Sequence, residues 1–330
     1  MTNYKESKLI LEEIKKAKNI LVNCHRGPDG DSVGSALSMQ SVVSNMDKKV
    51  DIVCPNKLPA DLLFLNNSNK IKTVDFATFD FSNYDLFIIL DSSTYSMVTG
   101  AEKIEKPDIK MVVIDHHFTN VGFGDINLID SQVTSTAELL FKIFVDWGVS
   151  LDSDISTKLL TGILSDTGCF QYGGVGKPTF EIAGELLSLG ADKDKVIFNI
   201  YRSVEFNSIK FWGKVIENMQ YDSNHSFVWS AIPLSVYKEY GEDSSSKEDV
   251  ANLFSPVVKD TDFGLIMIEI DKEVLAVSFR ARSNFDVSKI AKDLGGGGHI
   301  AASGAKVKGP FKDSVNKVLE VCKKYAKKSF

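Results

Sequence analysis

Four short apolar runs punctuate the first third of the chain: NILVNC at 19–24, VDIVC at 50–54, LFIILD at 86–91 and MVVID at 111–115. Each is too brief for a core helix and reads as a strand. Segments with helical spacing fill the sequence around them: an amphipathic stretch over 5–18, and another from about Ser32 to Met46. Strand and helix in alternation favour a parallel α/β sheet. In such sheets ligands gather at the carboxyl ends of the strands. The polar residues that close each run are therefore the ones to examine.

Helical patterns continue near 134–148 and 153–166 and from about 179 to 218, with no Pro/Gly/Ser-rich linker over 190–220. The domain boundary then falls in a helical linker at about 190–220, giving domains 1–205 and 206–330. Beyond it the style changes. SFVWSAI (226–232), FGLIMIEI (263–270) and EVLAVSFR (273–280) read as strands, the last two joined by a tight turn at Asp271-Lys272. Asp286–Leu294 looks helical, Gly295–Gly298 is expected as a loop, and Pro310–Lys328 as a closing helix.

A chain of 330 residues suits two domains. No apolar run approaches the roughly 18 residues that cross a bilayer. The N-terminus lacks a signal-peptide core. The expected location is the cytoplasm, with no membrane partner. The four cysteines never form a CxxC pair, which argues for reduced, buried thiols. Residues 1–190 hold 17 Lys+Arg against 25 Asp+Glu, while 191–330 hold 21 against 19. An acidic first half suits cations and disfavours tracking of long duplex nucleic acid. A short phosphorylated substrate remains compatible if metals neutralise the site.

Four of the five histidines lie in special contexts. His25 follows the first run and opens His-Arg-Gly-Pro-Asp-Gly-Asp, which puts Asp29 and Asp31 on the same loop. Asp91 closes the second strong run, ILDSS. Asp115, His116 and His117 close the third, VIDHH, and Asp166 lies in Leu-Ser-Asp-Thr-Gly. Alone, each has a bland reading as a turn residue, a helix cap or a surface group. Together they are a ligand set: carboxylates with imidazoles suit Mn²⁺, Zn²⁺ or Fe²⁺. Clustered aspartates repel unless cations compensate them, and a pair of metals about 3.5–4 Å apart supports phosphoester hydrolysis.

HRGPDGDSVGS, ILDSS, VIDHH and LSDTG, in this order, resemble the four motifs of the DHH phosphoesterase superfamily. SFRARSNFDVSKIAKDLGGGGHIAASGA resembles the DHHA1 domain that accompanies it, and the whole is most similar to the stand-alone, NrnA-like nanoRNase/pAp-phosphatase group. The resemblance implies an α/β fold: an N-terminal parallel-sheet DHH catalytic domain with helices on both faces, and a smaller α/β DHHA1 substrate-binding domain with a mixed sheet. It implies that His25, Asp29 and Asp91 bind one metal, and that Asp31, Asp91, His116 and Asp166 bind the other. His117 would face the substrate phosphate or position the attacking water, with Asp115 orienting the pair. The expected cofactor is two Mn²⁺ ions, with Mg²⁺, Co²⁺ or Fe²⁺ as substitutes. Gly296, Gly297, Gly298 and His299 would grip a substrate phosphate with Arg280, and Arg282 is a weaker candidate; the family's second Ser in Ser-Leu-Arg-Ser is replaced here by Ala281.

The implied activity is a hydrolase that cuts short 5′-phosphorylated oligonucleotides (nanoRNA, pGpG, pApA) to mononucleotides, with pAp 3′-phosphatase activity beside it. Rivals are a cyclic-dinucleotide phosphodiesterase, a RecJ-like single-strand exonuclease and a non-catalytic nucleotide sensor. A homodimer is an open option. GGVGKPT at 173–179 fails the P-loop pattern, since Gln171 and Pro178 occupy positions that need Gly and Ser/Thr. His225, in a turn, reads as a surface residue. Phe170 and Tyr172, just past Asp166, read first as core aromatics, with base stacking as the alternative.

Overall fold

All five side chains of LFIIL at 86–90 are buried, which a strand achieves only when its sheet is covered on both faces. In the computed structural model, which describes residues 4–240, 250–252, 257–282, 285–298 and 300–326, this strand is central to the first of two sheets. The chain divides into two units, 1–203 and 204–330.

The strands of the first unit are β1 (Asn19–Asn23), β2 (Lys49–Cys54), β3 (Lys72–Thr73), β4 (Leu86–Leu90), β5 (Lys110–Asp115) and β6 (Ile126–Ile129). Their order is β3-β2-β1-β4-β5-β6 and every pairing is parallel. The period-2 alternation of strand side chains sorts them into two cores. Ile20, Val22, Ile88, Leu90, Val112 and Ile114 join one; Leu21, Phe87, Ile89, Met111 and Val113 join the other. Helices α1 (Lys5–Lys16), α2 (Gly30–Ser44), α4 (Thr136–Asp146) and α5 (Ser153–Asp166) supply the first core. The second carries the short α3 (Tyr95–Thr99) and a cluster of rings, with Phe79 and Phe81 edge-to-face at 4.9 Å. Strand order reverses between β1 and β4, so a crevice opens at their carboxyl ends.

Glycines set how closely α2 and α5 approach. A Cβ on Gly34 would lie 2.4 Å from the Lys158 carbonyl oxygen, and one on Gly162 would lie 2.5 Å from Asp31 Oδ1. Without side chains there, the two helices bring Asp31 and Asp166 into one neighbourhood. Lys158 is fully buried in this contact; its ammonium is satisfied by Asp154 at 2.5 Å and Ser41 Oγ at 2.9 Å, as a buried charge requires.

The helical stretch expected over 179–218 is three helices: α6 (Lys177–Ser188), α7 (Lys193–Tyr201) and α8 (Phe206–Glu217). Gly190, at φ +91, separates the first two. The second unit contains β7 (Gln220–Asp222), β8 (Phe227–Ile232), β9 (Phe263–Asp271), β10 (Val274–Ala281), β11 (Gly297–Gly298) and β12 (Ala302–Lys308), in the order β11-β12-β10-β9-β8-β7. Only β8–β9 is parallel, so the sheet is mixed. Helices Val287–Asp293 and Phe311–Tyr325 pack Ile290, Val318 and Cys322 against Val277 and Phe279. On the other core, α8 and α9 (Leu234–Tyr240) pack Phe211, Val215 and Tyr237 against Ile266 and Ile268.

Two local expectations change. The β9–β10 turn is Lys272-Glu273, one residue later than expected, with Glu273 at φ +58 and a register shift at Val274/Leu275. The glycine run is not a single loop. Gly295, at φ +78, terminates the preceding helix, and Gly297 and Gly298 pair with Gly304 and Ser303 of β12. Gly296 is required by that pairing, because a Cβ there would sit 2.1 Å from the Gly304 carbonyl oxygen.

The helix contact can be tested with one substitution at two places. Gly34→Ala is expected to cost about 1–3 kcal/mol through overpacking. Gly184→Ala, on the open face of α6 with nothing within 4 Å of its Cβ, is expected to stabilise by about 0.4–1 kcal/mol. Urea unfolding of both variants checks the opposite signs.

Candidate metal centre

Eight of the residues singled out by sequence converge at the carboxyl ends of β1, β4 and β5 and the end of α5: His25, Asp29, Asp31, Asp91, Asp115, His116, His117 and Asp166. Asp91 is the hub. It leaves β4 at φ +51, a left-handed conformation that side chains adopt at a cost of order 1–3 kcal/mol. The turn aims a carboxylate that is 2% exposed between His25 Nε2 at 3.3 Å and His116 Nε2 at 3.5 Å.

His25 is oriented from behind. Its Nδ1–H donates to the Arg26 carbonyl at 3.0 Å, which leaves Nε2 facing Asp91 and, at 3.6 Å, Asp29. Asp29 caps α2, its Oδ1 accepting from the Asp31 and Ser32 amides at 3.0 Å each. The bland reading of Asp29 as a cap and the reading as a ligand thus describe the same carboxylate.

Asp31 is held by the N-terminus of α4. Its two oxygens accept from the Thr136 amide at 2.6 Å and the Ala137 amide at 2.8 Å, where the helix dipole favours an anion. Thr136 Oγ1 donates to Asp91 Oδ1 at 3.1 Å. One helix end therefore positions two of the carboxylates. Ser135 caps this helix through the Glu138 amide, and Glu138 Oε2 accepts from Thr134 and Thr179.

Asp115 is fully buried and acts on the His pair. It accepts from His117 Nδ1 at 2.8 Å, from the His116 amide at 2.9 Å and from Asn120 Nδ2 at 2.7 Å. His117, with its Nδ1 engaged by Asp115, is the most open of the three imidazoles at 36% side-chain exposure. His116 Nε2 is buried without a hydrogen bond, 3.1 Å from Asp166 Oδ2.

The pKa shifts show how strongly the cluster calls for positive charge. Burial would lower the His25 pKa, but Asp29 and Asp91 outweigh it and raise it well above the imidazole range. Burial opposes Asp166, Asp91 and Asp31 in the same way at His116, which rises to about 10. Burial, then Asp91 and Asp166, raises Asp31 well above the carboxylate range. Burial also raises Asp166, against the pull of His116, to about 6. All four shifts run toward the protonated forms, as they do where carboxylates crowd together and need positive charge beside them. Residues within 4.8 Å of one another form three sets that can hold an ion: His25, Asp29 and Asp91; Asp31, His116 and Asp166; and Asp91, His116 and His117. The donor set, with a buried His116 Nε2 that makes no hydrogen bond and faces Asp166 and Asp91, fits a divalent metal.

The expected phosphate grip lies in the second unit. Arg280, on β10, donates Nε–H to Asn252 Oδ1 at 2.5 Å and Nη1–H to the Phe279 carbonyl at 2.9 Å. Gly296, Gly297 and Gly298 are exposed, and so is Arg282, while His299 lies outside the described residues. Elsewhere His225 is less superficial than expected: it is 18% exposed and faces Asp222 Oδ1 at 3.0 Å. All four cysteines are free. Phe170 packs against the first core as expected, but Tyr172 is 55% exposed. Among the described residues, no helix is long and apolar enough to cross a membrane.

Sequence reasoning missed Thr136, Ala137 and Asn120. A signal existed for the first two: Ser135-Thr136-Ala137-Glu138 is a capping-box pattern marking a helix start. Asn120 carries none.

Fold and site together define a two-domain α/β protein with a carboxylate–imidazole cluster that could bind metal at the switch point of a parallel sheet. The N-terminal domain of the DHH family matches residues 19–164 and the DHHA1 domain matches residues 234–328. The chain thus carries a DHH domain followed by a DHHA1 domain, and DHH phosphoesterases are metal-dependent. It is 28% identical, over 96% of its length and 93% of the relative's, to the "Bifunctional oligoribonuclease and PAP phosphatase NrnA" of Thermus thermophilus. It is 27% identical to the "Cyclic-di-AMP phosphodiesterase PdeA" of Listeria monocytogenes, over 92% of this chain but 47% of that protein. The fold is also that of an exopolyphosphatase-related protein from Bacteroides fragilis, with a TM-score of 0.87, 24% identity and coverage of 97% and 96%.

Metal binding competes with protonation of the cluster. Asp166, raised to about 6, and His116, raised to about 10, are protonated in the metal-free site at the acid side of those values. Mn²⁺ affinity is therefore expected to rise with pH between 5 and 8, with net proton release in calorimetry across buffers of different ionisation enthalpy. A pH-independent affinity contradicts this. Thr136→Val, which keeps the backbone donor to Asp31, is expected to weaken Mn²⁺ binding by roughly 10–100-fold.

Proposed function

We propose that this protein is a metal-dependent phosphodiesterase that hydrolyses short 5′-phosphorylated oligonucleotides, including linear dinucleotides such as pGpG and pApA, to nucleoside monophosphates. Adenosine 3′,5′-bisphosphate is a second phosphoester substrate on this reading. The observation that carries it is the convergence of Asp29, Asp31, Asp91 and Asp166 with His25 and His116, whose buried Nε2 makes no hydrogen bond. Near full-length similarity to the Thermus thermophilus protein supports the substrate class.

His25, Asp29 and Asp91 would hold one cation, and Asp31, Asp91, His116 and Asp166 would hold the other. A pair of divalent ions bound there, Mn²⁺ by preference, would supply the Lewis acidity that acidifies water and balances charge on phosphorus. The protein's own groups do the rest. His117, its Nδ1–H fixed on Asp115, presents its other nitrogen to the scissile phosphate. Asp115 is a positioning residue, because it orients His117 through one oxygen and is itself anchored by Asn120 through the other. In the second domain, over about 206–330, Arg280 and the exposed backbone of Gly296–Gly298 bind a non-scissile phosphate, with His299 as a further donor. Bonds to Asn252 and Phe279 fix the Arg280 guanidinium before substrate arrives. Four free cysteines support a reducing, cytoplasmic setting.

A cyclic dinucleotide is the second reading, favoured by similarity to the Listeria monocytogenes protein. Product analysis separates the two. With Mn²⁺, purified protein is expected to release mononucleotides from pGpG or pApA. Asp91→Ala abolishes that release, Asp115→Asn lowers kcat/KM by roughly 10–100-fold, and His225→Ala retains it. Turnover of cyclic dinucleotides alone, with linear ones untouched, overturns the first reading.

A further inference from the structure

The chain does something unusual immediately after Asp166. Gly168, Cys169 and Phe170 are three consecutive residues in the left-handed region, at φ +55, +57 and +66. Left-handed conformations disfavour side-chain-bearing residues, and two of these three carry side chains. Strain of this kind persists only where surrounding bonds over-determine it, and here they do. The Cys169 amide donates to the Leu164 carbonyl at 2.8 Å and the Phe170 amide to Thr167 Oγ1 at 3.0 Å. The amides of Gln171 and Tyr172 both donate to the Thr167 carbonyl, at 2.8 and 3.0 Å.

The product of this turn is a fixed, exposed ring. Tyr172 folds back onto Gly168 so closely that a Cβ there would lie 2.4–2.7 Å from three of its ring atoms. The ring therefore occupies the space beside the residue two positions after Asp166, yet stays 55% exposed. Phe180, at the start of α6, is also 55% exposed and stacks on the half-buried Phe170 with centroids 4.9 Å apart and planes at 30°. Tyr201 braces the same segment from beneath, its hydroxyl donating to the Leu164 carbonyl at 2.6 Å. Core burial accounts for Phe170. It does not account for two aromatic rings left more than half in water by a strained, fully bonded turn.

We propose that Tyr172 and Phe180 form a stacking platform for a nucleobase of the substrate. This rests on the reading of the neighbouring cluster as a centre that cuts short oligonucleotides. A base and its own phosphate are separated by a single ribose, so a base on Tyr172 keeps its phosphate within reach of the cluster that Asp166 belongs to. The platform offers π faces and the Tyr172 hydroxyl, with no charged group of its own on either ring. Stacking is tolerant of base identity, because every base has a π face. The platform therefore selects for a nucleotide over a plain phosphoester without selecting a sequence.

The test compares pApA with its abasic analogue, in which tetrahydrofuran replaces each nucleoside's sugar and base, under Mn²⁺. The readout is the ratio of kcat/KM for the two substrates, which cancels any general loss of folded enzyme. Tyr172→Ala and Phe180→Ala are each expected to lower that ratio by roughly 5- to 150-fold, through KM, and Tyr172→Trp to restore it. An unchanged ratio in both alanine variants overturns the platform while leaving the phosphoesterase reading intact. Wild-type protein that hydrolyses neither substrate overturns that reading and the platform with it.

Discussion

Repulsion among Asp29, Asp31, Asp91 and Asp166 is the constraint around which the first unit is organised. Two carboxylates about 4 Å apart repel by roughly 4 kcal/mol at an effective dielectric of 20, and this cluster gathers four, with Asp31 and Asp91 buried, Asp166 half-buried and Asp29 at the exposed edge. Imidazolium protons relieve part of that stress, which is why His25 and His116 are displaced upward so far. Burial works against those imidazolium charges, so protons are a poor substitute for cations. A divalent ion brings twice the charge of a proton and accepts several ligands at once.

Much of the surrounding structure exists to hold that arrangement still. Reversal of strand order at β1 and β4 puts His25 and Asp91 on adjacent carboxyl ends. Missing side chains at Gly34 and Gly162 let α2 settle against α5, which delivers Asp31 and Asp166. The start of α4 then fixes Asp31 by its amides and Asp91 by the Thr136 hydroxyl. Asp115 fixes both members of the His pair, one through its ring and the other through its backbone. None of these contacts is optional, since a ligand sphere displaced by an ångström loses much of its affinity.

Legibility in the sequence followed the strength of the physical signal. β1, β4 and β5 are almost wholly buried and β2 is buried over Ile52–Cys54; all four are apolar runs bounded by polar residues, so they stand out. β6, with INLI flanked by Asp125 and Asp130, and β12, with ASGAKVK, do not, because a short or half-exposed strand leaves little apolar contrast. The residues that close the strong strands were visible as candidates for the same reason. Thr136 and Ala137 were not, because they act through a hydroxyl and backbone amides at a helix start that is 105 residues distant from Asp31 in sequence. Glycine chemistry was half legible. Gly295–Gly298 announces a special backbone, but its division into a helix cap and a strand depends on Gly304 and Ser303, which belong to a strand that periodicity does not reveal.

Anomalous diffraction from crystals grown with Mn²⁺ tests directly whether cations fill the cluster. Two manganese peaks are predicted in the first unit, one ligated by His25, Asp29 and Asp91 and the other by Asp31, Asp91, His116 and Asp166. An empty cluster at saturating Mn²⁺ and neutral pH, with protein otherwise folded as described, would contradict it.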